Sequence, residues 1–299
     1  PTSDSRIAIA FQVKGKPNTM ILNSSGLSMT FPIRYESLGR RILSFYEDIT
    51  PALDDIFQVN LSNIRAELFV PSRFEELSVG GFVPITSAYR LGTIYLNIFY
   101  VRTKEGYLES IAAHELVHHY LSTIGISTDL LWFHEGMANY IGIGVSTSAG
   151  EGASSTRDEL LTEAKALMKR GSLSFVYRWT PDYDVPGYDV YQQYAASYYI
   201  VDNVSRTLAS QVDDIIPGQR FLSSFFSYVR KSHLTIDTND QLARALFVSA
   251  NLSASAYNVL NAFDLKVNIL PIDYGNETSE GEILSPLSRL LIGRLIAPY

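Results

Sequence analysis

The sequence predicts an α+β fold: an N-terminal lobe with a mixed β-sheet and a helix bearing the H-E-x-x-H pattern, followed by a mainly helical C-terminal lobe. Three observations carry this. Short β-like runs crowd the first hundred residues, helical periodicity takes over from about residue 105, and hydrophobic residues make up 46% of a 299-residue chain, enough to bury a sizeable core. No internal repeat or low-complexity linker intervenes, so lobes placed at 1–125 and 126–299 are expected to act as one unit.

In the first lobe, "IAIAFQV", "TMILN", "LSMTFPI", "AELFV" and "TIYLNIFYV" read as strands. Between the third and fourth, residues 36–57 hold Leu38, Ile42, Leu43, Phe45 and Tyr46 at helical spacing, which predicts an amphipathic helix. Helices are then expected at 105–124, 129–142, 156–170, 188–210, 217–231, 238–250 and 253–263, punctuated by Gly125, the Ser/Gly-rich 146–155 and "TPDYDVPGYD" at 180–189. The tail "SPLSRLLIGRLIAPY" places Leu287, Leu290, Leu291, Ile292 and Leu295 at helix-like spacing. With only two arginines to meet lipid, it is expected to dock on the body of the protein.

Composition excludes several function classes. A net charge of −7 leaves no basic excess for phosphate, which argues against nucleic acid as a partner. There are no cysteines, so disulfides, thiolate metal sites and cysteine nucleophiles are absent and any metal must use His and carboxylate. No apolar run is long enough to span a membrane. Residues 1–20 lack the layout of a signal peptide, and a leader or anchor ahead of Pro1 is left open. N-x-[ST] sequons at Asn23, Asn60, Asn203, Asn251 and Asn276, on a Tyr-rich chain with 18% charged residues, favour an extracellular or extracytoplasmic location, with the cytoplasm as the alternative. A monomer is expected.

The chemistry concentrates in "AHELVHHY" at 113–120. On a helix, residues four apart differ by about 40° around the axis, so His114 and His118 point the same way and can grip one cation. Glu115 between them is aimed at the open position of such a site, where a held water would feel both Zn²⁺ and a carboxylate base. A third ligand comes from "LLWFHEGMANY" at 130–140. Glu135 lies seventeen residues after His118, on a helix that a turn folds back on the first. His2Glu plus water makes a four-coordinate catalytic zinc site. Small Gly136 and Ala138 would let the two helices approach closely. His119 and His134, each rotated about 100° from a ligand, are expected to miss the metal, and His233 reads as a surface or loop residue.

H-E-x-x-H followed by "WFHEGMANY" resembles the gluzincin zinc metallopeptidases, the group that includes the thermolysin and aminopeptidase-N families, and is nearest to peptidase-MA-like proteins. The likeness spans about 107–200. Metzincins, whose third ligand is a His six residues beyond the second, do not fit, because position 124 is Ile. The resemblance implies a zincin-like cleft between the lobes, with Zn²⁺ held by His114, His118 and Glu135 and Glu115 as general base and proton shuttle. Asn139 stands where thermolysin-like enzymes carry a carboxylate that orients the first His; an ordinary buried amide is the alternative. An oxyanion-stabilising Tyr is implied on the later helix "YDVYQQYAASYYIVDNV", with Tyr194 preferred and Tyr191 as runner-up. The run "YRLGTIYLNIFYV" occupies the place of the substrate-binding edge strand. It lacks G-x-M-E-N, which favours an endopeptidase acting on peptide or protein over an aminopeptidase and leaves Asn97 as a candidate substrate contact. A non-catalytic zinc-binding or surface protein, or a zinc hydrolase of a non-peptide bond, are the competing readings. "PDYDVPGYD" offers oxygens for Ca²⁺ but fits no EF-hand spacing, and reads rather as an acidic, aromatic loop over the cleft.

Overall fold

In the computed structural model, residues 18–24, 26–72, 79–102, 106–209 and 215–249 are described. The first strand-like run, the expected helix at 253–263 and the C-terminal tail lie outside them.

Alternation along the strands decides which face of the sheet is covered. In β2 (Leu27–Pro32), β3 (Ile64–Phe69) and β7 (Ile94–Asn97), Met29, Phe31, Ala66, Leu68, Ile94 and Leu96 are all buried. Their neighbours Ser28, Thr30, Glu67, Phe69 and Tyr95 are only half-buried and point to the other face. The five-stranded sheet has the order β1-β2-β3-β7-β4. β1 (Thr19–Ser24) is antiparallel to β2, β2 and β3 are parallel, as are β3 and β7, and the two-residue β4 (Gly81–Phe82) closes the edge antiparallel to β7. β5 (Ile85–Ser87) and β6 (Arg90–Leu91) form a separate ribbon.

The expected edge strand is thereby corrected. "YRLGTIYLNIFYV" divides into β6, the interior strand β7 and a 3₁₀ turn at Ile98–Arg102, and β4 is the edge.

Helix α1 (Glu36–Phe57) buries Ile42, Leu43, Phe45 and Tyr46 of the predicted stripe, leaves Leu38 half-buried, and continues the stripe with Ile49, Leu53, Ile56 and Phe57. Glu36 sits in its first turn, where the helix dipole favours negative charge. α2 (Tyr107–Thr123) and α3 (Leu131–Ser148) are buried on almost every side, the mark of central helices. Around them stand α4 (Ser154–Met168), α5 (Val190–Thr207), α6 (Gln219–Lys231) and α7 (Asn239–Ser249). α5 begins where a capping box allows it: the Asp189 carboxylate accepts from Gln192 N–H while the Gln192 side chain accepts from Asp189 N–H. Among the described residues no helix is long and apolar enough to cross a membrane.

One continuous core joins the sheet-bearing part to the helices. At its centre Phe57 stacks on Tyr120 at 4.8 Å and on Phe226 at 4.4 Å, tying α1 to α2 and α6. Phe57→Ala is therefore expected to destabilise the fold by about 3–5 kcal/mol, read as a lowered urea midpoint with an unchanged slope.

Candidate metal centre

The α2–α3 contact is set by side-chain size. Glu135, Ala138, Asn139 and Gly142 recur at i, i+3, i+4 and i+7 and form one stripe of α3. A Cβ on Gly142 would lie 3.0 Å from His114 N and 3.2 Å from its Cα, so the helices touch backbone to backbone there. Gly136, expected to serve this approach, turns instead to α5, where a Cβ would meet Ser197 O at 2.7 Å. One residue of helix is about 100° of rotation, so Gly136 cannot share the α2-facing side with Glu135.

This contact brings three atoms together. His114 Nε2 lies 3.1 Å from His118 Nε2 and 3.0 Å from Glu135 Oε2, and His118 Nε2 is 3.6 Å from the same oxygen. Among the described residues no other three His or carboxylate groups gather in this way. The outer nitrogens fix the tautomers. Asn139 Nδ2 donates to Glu135 O at 3.0 Å, which turns its Oδ1 to His114 Nδ1 at 3.2 Å to accept that N–H. His134 Nε2–H donates to Ile126 O at 3.1 Å, which leaves its Nδ1 lone pair facing His118 Nδ1 at 3.4 Å. The two rings lie within 13° of parallel with centroids 5.6 Å apart. That separation exceeds the N–N distance by about two ring radii, so both nitrogens sit on the line between the rings and the N–H···N contact runs edge to edge.

With Nδ1 so engaged on both rings, His114 and His118 turn Nε2 inward, where both nitrogens meet the buried Glu135 Oε2. These three atoms, gathered in a buried place, could hold a metal ion. Desolvation works against charge on His114, but contact with Glu135 outweighs it and lifts its pKa above the ordinary histidine range. Desolvation also opposes charge on Glu135, yet His118 and His114 hold its carboxyl far below the usual value. The donor set of two imidazoles and a carboxylate fits a divalent metal of the zinc type.

Glu115 is 7% exposed, and its pKa is raised by burial, partly offset by His114 and His118. With His114 and Asn139 it forms one wall of a cavity of about 450 Å³, to which Gly81, Tyr107, Ile111, Tyr191 and Tyr194 contribute. Of the two candidate tyrosines, Tyr194 faces the triad. Its ring stands edge-on to His114 at 6.5 Å and to Trp179 at 5.3 Å, and Glu135 followed by burial holds its hydroxyl well above the ordinary pKa, protonated and able to donate. Tyr191 is 46% exposed and lies on the cavity near Glu159 and Glu163.

Asn97 is fully buried. Its amide donates to Val79 O at 2.8 Å and accepts from Phe99 N–H at 3.0 Å, which commits it to bracing the segments on either side of β7 and not to the cavity. His119 is buried, its pKa pushed down to about 4 by desolvation and His118. His233 is exposed in a loop, with φ of 50°. In the 180–189 loop, Asp184 accepts from Trp179 Nε1. The residue that sequence reasoning undervalued is His134. It misses the metal position, as expected, but holds the far side of His118; asking which group satisfies the second nitrogen of each ligand histidine was the available signal. No family model and no curated protein matches the chain, so the reading of the site rests on this geometry.

Two outcomes follow. His134→Ala should weaken metal binding about 10–100-fold in a competition titration against a chromophoric chelator, with His134→Asn, which keeps an acceptor, recovering part of the loss. His119 and His134 are held neutral, with pKa values lowered to about 4 and about 3. Below pH ~6.5 the unfolded chain binds protons that the folded chain refuses, so these groups make stability fall as pH drops from ~6.5 toward 4. Urea midpoints of the metal-stripped protein across that window should fall more shallowly in His119→Gln than in the wild type.

Proposed function

We propose that the chain is a zinc-dependent peptidase of the gluzincin type, acting as an endopeptidase in a cleft beside α2. The observation that carries the reading is the convergence of His114 Nε2, His118 Nε2 and Glu135 Oε2 with the buried carboxylate of Glu115 beside them on a cavity wall. A bound Zn²⁺ would acidify water and polarise the scissile carbonyl. Glu115, its pKa raised by burial, takes the proton of the attacking water and returns it to the leaving nitrogen. Tyr194 donates its O–H to the developing oxyanion.

On this reading the substrate chain adds along the edge of the sheet. Asn97 N–H donates to Gly80 O at 2.8 Å, and Phe82 pairs with Tyr95. The amide and carbonyl of Gly81 between them therefore face outward, where an extended peptide can add as a further strand. Gly81 also lies against the base: a Cβ there would come 3.2 Å from Glu115 Oε1. Among the described residues, the cavity lining includes no Lys or Arg to hold an α-carboxylate and no carboxylate besides Glu115 to hold an α-amine. This supports cleavage within a chain over removal of terminal residues. Exposed sequon residues Asn23 and Asn60 support an extracytoplasmic setting.

A non-catalytic metal-binding protein would need the triad but would gain nothing from a desolvated Glu115 on the cavity wall. The decisive comparison is wild type against Glu115→Gln, both loaded with zinc. Equal metal content, with peptide cleavage lower by about 10²–10⁴-fold in the variant, is expected. Zinc-loaded wild type that cleaves nothing in a broad peptide library, or a variant as active as wild type, would sink the peptidase reading.

A further inference from the structure

On the face of the sheet turned away from the helices, three aromatic side chains from three adjacent strands meet. Phe82 of β4 stacks on Tyr95 of β7 with centroids 4.9 Å apart and 18° between planes, and Phe69 of β3 stands edge-on to both at 5.9 and 6.4 Å. Phe82 is 41% exposed despite these contacts. The patch continues around Asn97, whose amide binds the backbone of Val79 and Phe99, themselves 37% and 41% exposed. It begins on the same two-residue strand that borders the cavity, with Gly81 against Ile111 and Glu115 on one face and Phe82 on the other.

We propose that the Phe82–Tyr95–Phe69 shelf is a specificity subsite that takes an aromatic or large apolar side chain of an extended peptide substrate. The proposal rests on the reading above, in which the substrate adds to the outer edge of β4, the edge strand among the described residues. Paired residues of neighbouring strands point to the same face, and successive residues point to opposite faces. A substrate residue opposite Gly81 therefore faces Glu115 and the cavity, and the residue beside it, opposite Phe82, faces the shelf. Stacking on an exposed ring already held by two others costs little ordering on the protein side. The preferred substrate accordingly carries an aromatic residue next to the one presented to the metal centre.

The test uses zinc-loaded protein and internally quenched ten-residue peptides, polar throughout except for Phe or Ala stepped through successive positions, with cleavage points mapped by mass. Wild type should prefer Phe over Ala at one position adjacent to the cavity-facing residue by about five- to tenfold, expressed in KM. Phe82→Ala should reduce that preference to under twofold and leave preferences elsewhere unchanged, and Phe82→Tyr should retain it. A parallel measurement of binding to Glu115→Gln by fluorescence anisotropy, with and without Phe82→Ala, separates the two claims. Cleavage whose Phe preference ignores Phe82 overturns the shelf and leaves the peptidase. Phe82-dependent binding with no cleavage by wild type overturns the peptidase and leaves the shelf. Neither binding nor cleavage overturns both.

Discussion

Helix α3 can lie against α2 only because Gly142 offers no side chain to the backbone of His114. From that contact the stripe of α3 delivers Glu135 to the two histidines and Asn139 to the outer nitrogen of His114. On another side of the same helix, Gly136 admits α5 to within contact of its backbone, which carries Tyr194 over the triad. Two missing side chains thus set both approaches, one for the ligands and one for the tyrosine. A core closed to this tolerance transmits a change of one methyl to every group it positions.

The arrangement that results is locally unfavourable in the bare chain. Glu115 and Glu135 are buried close together, and both histidines turn their inner nitrogens to one carboxylate oxygen. Local conflicts of this kind concentrate where function overrides local consistency. A histidine pair kept only for packing would not need a fixed proton on each Nδ1. Here Asn139 and His134 each supply an acceptor for that purpose from α3, so the polar groups around the ligands form a connected set and not a chance cluster.

What the sequence revealed follows the length of its signals. The stripe of α1 spans six turns' worth of residues and was legible to its ends. The pair His114 and His118 was legible because four residues on a helix fix a common direction, and Glu135 because a short turn leaves its helix little choice but to return. β4, β5 and β6 have two or three residues each, too few to show a period of two, so the true edge strand was hidden and its role was assigned to β7. Asn97 went astray for the same reason: placed on an edge it would face a substrate, whereas on an interior strand its amide braces the backbone. His134 shows a different limit. Rotation excluded it from the metal correctly, but the sequence carries no record of what lies beyond His118.

The support for His118 reaches farther along the chain than its own helix pair. His134 is oriented by Ile126 O, and Ile126 bridges in parallel to Ile236, between α6 and α7. Ser127 N–H donates to Ile236 O at 2.9 Å and Ile236 N–H to Gly125 O at 2.9 Å. Gly125 makes this possible with φ of 100°, in a place where a Cβ would come 2.5 Å from Leu234 O. The tautomer of a ligand on α2 therefore depends on a backbone bridge made more than a hundred residues later. The lobe boundary expected at residue 125, after the helix that carries His114 and His118, falls within this scaffold, in keeping with two lobes that act as one unit. Contacts this distant in sequence form late in folding, because loop closure must precede them. By the same reasoning the setting of His118 is complete only once the helical part has docked.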